Sequence, residues 1–132
     1  MKMEERWATT RDLTEDIIGS AVEVHRTLGP GLLESTYEEC LCRELALRDI
    51  PFRRQITLPI EYKGLVVEDK HRIDLLIHDR VVLELKSVEA VLPVHHAQLL
   101  TYLRLGRWPV GLLINFYVPV LTKGIYRKVW KP

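Results

Sequence analysis

The stretch "DLLIHDRVVLELKSVE", Asp74 to Glu89, sets two short apolar runs on either side of His78-Asp79-Arg80. Leucine- and β-branched-rich runs around a polar break read as the two strands of a hairpin. A turn centred on Asp79 pairs positions equidistant from it, which puts Asp74 across from Glu84. Side chains alternate along a strand, so Glu84 and Lys86 share a face, and Asp74 joins them as the cross-strand neighbour. Leu75, Ile77, Leu83 and Leu85 point the other way, into the expected core. An ionised side chain in an apolar setting is costly unless it is paired or bound to a metal. The charged face is therefore expected to line a cleft.

Working outward, Leu13, Ile17, Ala21, Val24 and Leu28 recur at three- and four-residue steps, which predicts a helix over Asp12 to Leu28. It stops at Gly29-Pro30-Gly31. A second helix is predicted over Leu33 to Arg48, with Leu33, Tyr37, Leu41 and Leu45 on one face, and Pro51 closes it. Three antiparallel strands follow, broken at Lys63-Gly64 and at His78-Asp79-Arg80. The helical period returns from Val94 to Leu105. "PVGLLINFYV", Pro109 to Val118, reads as a buried strand, and "TKGIYRKVW" as a last edge strand. The predicted fold class is α/β (α+β): a mixed central sheet flanked by helices, in the order ααβββαββ. Residues 1–11 read as a flexible N-terminal segment and 12–130 as one domain.

Composition narrows the function. The chain has 132 residues, 47% hydrophobic and 28% charged, the balance of an ordinary globular domain, and no run long enough to span a membrane. "MKMEERWATT" lacks the apolar core of a signal peptide, so a cytoplasmic location and no membrane partner are expected. Cys40 and Cys42, two apart in a helical pattern, point in different directions and read as reduced packing thiols. With 19 basic and 18 acidic side chains, binding to nucleic acid has to come from a local patch. Arg53, Arg54, Lys63, Arg72, Arg104, Arg107 and Arg127 are candidates for it. "IYRKVW" on the edge strand also admits a homodimer interface.

Two facing carboxylates repel, and without a cation one must take up a proton. Oxygen donors, few in number and with room for water and phosphate, suit Mg2+ or Mn2+ better than zinc. Lys86 beside such an ion could orient or deprotonate a water and stabilise charge developing on a phosphate.

Asp74 followed by Glu84-Leu85-Lys86 resembles the D…(D/E)xK motif of the PD-(D/E)XK nuclease superfamily, whose core is restriction-endonuclease-like. Gln98 and Tyr102 resemble the QxxxY motif of its exonuclease-like branch. "GLLESTY", Gly31 to Tyr37, is similar to the GxxExxY signature of one bacterial and archaeal group in that superfamily. "VHRTLGPGLLESTYEECL", "HAQLLTYL" and "GLLINF" resemble that group's blocks in the same order. The resemblance implies a metal-dependent nuclease acting on DNA or RNA. Asp74 and Glu84 would then be metal ligands, with the Leu85 carbonyl as a third, and Glu34 would reach the metal directly or through water. Lys86 would activate the water, and Gln98 and Tyr102 would hold the phosphate or Lys86. A catalytically inactive nucleic-acid-binding or assembly module of the same fold is the alternative.

Plainer roles stay open for each residue. Glu34 also suits the first turn of a helix, where an acid answers the dipole. Asp74, Glu84 and Lys86 could form a cross-strand salt bridge on a solvated face. Gln98 and Tyr102 could be a polar helix edge, and Tyr37 and His25 core packing. His95 and His96 read as caps or surface.

Overall fold

The computed structural model describes residues 6–132 and resolves their hydrophobic periods into three α-helices and seven strands. Helix α1 (Thr10–Leu28) begins at a capping box: the Thr9 hydroxyl accepts from the Asp12 N–H, and the Asp12 carboxylate accepts from the Thr9 N–H. Of its predicted stripe Leu13, Ile17, Ala21 and Val24 are buried, while Leu28 in the last turn is exposed. Gly29, at φ 74°, ends it. Helix α2 (Glu34–Leu47) follows, burying Tyr37, Leu41 and Leu45, whereas Leu33, expected on the same face, caps the helix and is exposed.

The strands are β1 (Phe52–Thr57), β2 (Ile60–Tyr62), β3 (Leu65–Val67), β4 (Arg72–Ile77), β5 (Val81–Lys86), β6 (Val110–Asn115) and β7 (Ile125–Val129). Helix α3 (Pro93–Gly106) connects β5 to β6, and a 3-10 turn (Leu121–Gly124) precedes β7. Five strands form one sheet in the order β1-β4-β5-β6-β7. It is mixed, because β5 and β6 run parallel while the other pairs are antiparallel. The α3 crossover accounts for this, since parallel neighbours need a long connection.

Between α2 and α3 the sequence predicted three strands; five are present. Pro59 cannot donate to a ladder, so β1 ends at Thr57. Ile60 to Val67 instead close on themselves as a small hairpin around Lys63 and Gly64, both at positive φ (48° and 89°), as a two-residue hairpin turn requires.

The N-terminal expectation also changes. Residues 1–5 lie outside the described residues; in the rest of the segment Trp7 is anchored, 2% exposed with its indole N–H donating to Asp16 at 2.8 Å, while Ala8, Thr9 and Arg11 are exposed. Arg80, in the β4–β5 turn, donates to the Trp7 carbonyl at 2.8 Å.

The sheet is covered on both faces. Leu75, Ile77, Val81, Leu83 and Leu85 pack with α1 and α2, while Leu76, Val82 and Leu113 pack with Leu99, Tyr102 and Leu103 of α3. Gly111 on β6 lets α3 close down, because a Cβ there would lie 2.9 Å from Leu99 Cδ1. No helix among the described residues is long and apolar enough to cross a membrane. Both cysteines are free, and burial pushes the Cys42 thiol up to about 11, which makes it unreactive.

Candidate active site

The β4–β5 hairpin turns where the sequence placed it. Leu75 pairs with Leu83, Leu76 with Val82 and Ile77 with Val81, the register that sets Asp74 opposite Glu84. The ladder then opens. The Asp74 N–H donates to the Glu84 carboxylate at 3.4 Å, and the Leu85 N–H donates to the Asp74 carboxylate at 2.7 Å, so side chains replace the backbone partners at the fork.

Strict alternation fails at this point. Ile73 and Leu76 both pack on the α3 side, whereas Leu75 packs on the α1–α2 side. Across from the break, Gln55 on β1 is skipped in the pairing and sits at φ 49°. The register is unchanged on either side, so no residue is inserted; Gln55 faces Asp74, and the two leave the ladder together. Asp74 thereby lines a cleft of about 250 Å³ with Glu34, Ser35, Glu38, Gln55 and Leu85.

Glu84 departs from the expectation of an open charged face. It is 6% exposed, because α3 covers that side of the sheet. Burial, then the nearby Asp74 charge, raises its pKa to about 8. Asp74 is raised as well, mainly by burial and against the pull of the Leu85 N–H, with Glu38 and Glu34 adding repulsion. A solvated cross-strand salt bridge does not fit two acids held out of water. Lys86 is half-buried, and its charge favours the ionised form of both.

Glu34, the first residue of α2, is exposed at the mouth of the cleft. Tyr37 explains the loop before it: its ring stacks on Phe116 at 4.3 Å, and its hydroxyl donates to the Gly29 carbonyl and accepts from the Leu32 N–H at 3.2 Å. Tyr37 thus fixes where α2 starts, and with it Glu34. Gly31, at φ 98°, permits the turn.

Sequence reasoning missed Glu38. One turn beyond Glu34, on the same helix face, it is 8% exposed and accepts from Arg54 at 2.9 Å and Gln55 at 2.8 Å. The i, i+4 spacing was the available signal. Arg54 and Arg53, candidates for a phosphate surface, are instead paired, Arg54 with Glu38 and Arg53 with Asp79 at 2.7 Å.

From α3, Tyr102 is buried, and its pKa is raised by burial, then by Glu84 and Asp74. Its hydroxyl meets His71 Nδ1 at 3.1 Å, a partner that no motif indicated. Gln98, one turn before Tyr102 on the same helix, is exposed and makes no hydrogen bond among the described residues. The histidines take plainer roles. His25 Nε2 contacts the Val118 carbonyl at 2.8 Å, His95 Nδ1 accepts the Leu92 N–H at 3.0 Å, and His96 meets Tyr126 edge-on.

The end of β5 is held by two side chains. Ser87 donates to the Leu32 carbonyl at 2.7 Å. Asn115, 4% exposed, donates to the Val88 carbonyl at 2.9 Å and accepts from the N–H groups of Val88 and Tyr117. Its amide extends the β5–β6 pairing past Lys86. Asn115→Ala should therefore cost about 2 kcal/mol in urea unfolding, because three backbone groups lose their partner. A change under about 0.5 kcal/mol would show that the loop after Lys86 is held in other ways.

Among the described residues no group of three or more His, Cys, Asp or Glu gathers as a metal cage. The Asp74–Glu84 pair is the acidic focus, and Glu34 does not join it as a third close ligand. Buried Glu84 and half-buried Asp74, both with raised pKa, still form a donor set suited to a cation that retains several waters. A family model described as the PD-(D/E)XK nuclease superfamily matches residues 11–128. Among curated proteins and solved structures no significant match is found.

Proposed function

We propose that this chain, which belongs to the PD-(D/E)XK nuclease superfamily, is a divalent-metal-dependent nuclease that hydrolyses phosphodiester bonds of nucleic acid. The observation that carries the reading is the Asp74–Glu84 pair at the β4–β5 fork, one acid half-buried and one buried, with half-buried Lys86 the cation that acts on both among the described residues. Within the superfamily we favour the GxxExxY group, since Tyr37 ties Gly29 and Leu32 together and so sets Glu34 at the cleft.

A Mg2+ or Mn2+ ion held by Asp74, Glu84 and the Leu85 carbonyl, with Glu34 reaching it through water, would neutralise the acids and supply an activated water. The chain's own groups do the rest. The Leu85 N–H holds one Asp74 oxygen at 2.7 Å, and the other has only a long contact, 3.5 Å, from the Gln55 amide. The Lys86 ammonium orients the attacking water and faces the charge that develops on the phosphate. Tyr102, held by His71, closes the α3 side of the site and limits water there.

Titration calorimetry with Mn2+ tests this directly. Wild type should bind, and Asp74→Asn and Glu84→Gln should lose binding while keeping a native circular-dichroism spectrum. Absence of binding, or binding indifferent to Glu84→Gln, favours the non-catalytic module of the same fold.

A further inference from the structure

The near-zero net charge hides a strong segregation. All 18 acidic side chains lie within residues 1–89, where they outnumber 13 basic ones. The 43 residues from Ala90 to Pro132 hold six cations, Arg104, Arg107, Lys123, Arg127, Lys128 and Lys131, and no acid. The fold keeps this segment together as α3, β6 and β7, with α3 packed against both strands. Every ion pair among the described residues lies before Arg80 and includes none of the six cations, although Arg127 donates to the Thr14 hydroxyl of α1 at 3.2 Å. His96, packed on Tyr126 of β7, has its pKa lowered by burial and then by Lys128 and His95, which agrees with a positive local field.

We infer that the outer side of α3, with β7 beside it, is the track that binds the nucleic-acid backbone flanking the cleaved phosphate. This inference rests on the nuclease reading above and identifies the surface that serves it. Topology supplies the alignment. Helix α3 starts just after β5 ends at Lys86, and it runs back to Arg104 and Arg107 before β6 begins beside Val81. Its 14 residues cover about 21 Å, roughly six nucleotide rises of one strand. Exposed Gln98 lies on this stretch near the site end, and exposed Arg104 and Arg107 lie at the far end. A membrane surface or the acidic half of a second copy would also attract cations, but the nuclease reading of the Asp74–Glu84 site calls for neither.

The test is anisotropy of fluorescein-labelled 20-nucleotide single-stranded DNA and 20-base-pair duplex DNA in EDTA, so that nothing is cut. The triple variant Arg104→Gln/Arg107→Asn/Lys128→Gln is compared with Arg11→Gln/Arg26→Gln/Arg43→Gln, which removes as many cations from the acidic half. The first triple should weaken binding of at least one DNA by about tenfold or more and reduce the slope of log K against log salt by about 2. The second should change affinity less than about twofold. Equal effects of the two triples overturn the inference, as does the absence of DNA binding by wild type. So does preferential binding to vesicles containing phosphatidylserine, or salt-sensitive self-association abolished by the first triple. DNA binding that depends on the first triple, in a protein that cuts nothing with Mg2+ or Mn2+, keeps the inference and removes the nuclease reading. Cutting with binding indifferent to the first triple does the reverse.

Discussion

Lys86→Ala should fold like wild type and cut nucleic acid about 10²- to 10³-fold more slowly in Mg2+ or Mn2+. The two halves of this expectation have separate causes. Lys86 enters none of the ion pairs among the described residues, and the bond at its position that joins strands is made by its backbone carbonyl, which accepts from the Phe116 N–H at 2.9 Å. Losing the ammonium therefore removes no partner that the fold depends on. It also removes the single cation whose charge acts on both Asp74 and Glu84. Asp74→Ala should be equally inactive, but for loss of a ligand. Metal-dependent cleavage that persists in purified Lys86→Ala and Asp74→Ala would sink the assignment of this site.

The second large effect is on stability. Burial and the Asp74 charge raise the Glu84 pKa from 4.5 to about 8 in the folded chain, whereas an unfolded chain leaves it near its ordinary value. Between these limits the native state holds a proton that the unfolded state releases. The stabilisation from protonated Glu84 is thus complete below about pH 4.5 and is lost as pH rises through about 8. At about 1.36 kcal/mol per pH unit the loss is on the order of several kcal/mol, and the raised pKa of Asp74 acts in the same direction. In chelator, wild type should therefore lose stability between pH 5 and pH 8 relative to Glu84→Gln, by about 10 °C in melting temperature. Mn2+ should restore wild type at pH 8 and leave Glu84→Gln unchanged. Parallel pH profiles for the two proteins would show that Glu84 is not held out of water.

Much of this was legible along the chain. The turn at Asp79 followed from two apolar runs around one polar break, and it fixed the register that brings Asp74 to Glu84. Helix limits agreed to within two residues, because capping groups and glycines act locally. The break at Ile73–Leu75 was not legible. It lies opposite Gln55, a residue of another strand that adopts a positive φ. Glu38 went unread for a related reason, since its importance comes from Arg54 and Gln55, which meet it only when β1 lies beside α2.

By itself the sequence determined the elements, the hairpin register and the identities of the charged residues at its open end, because periodicity, turn chemistry and strand alternation act between near neighbours. Tertiary structure alone decided that Glu84 is buried and that Asp74 leaves its alternating face for the cleft. Burial and electric field are sums over residues distant in sequence. A carboxylate on "DLLIHDRVVLELKSVE" could therefore have been an ordinary surface acid until α3 was laid across it.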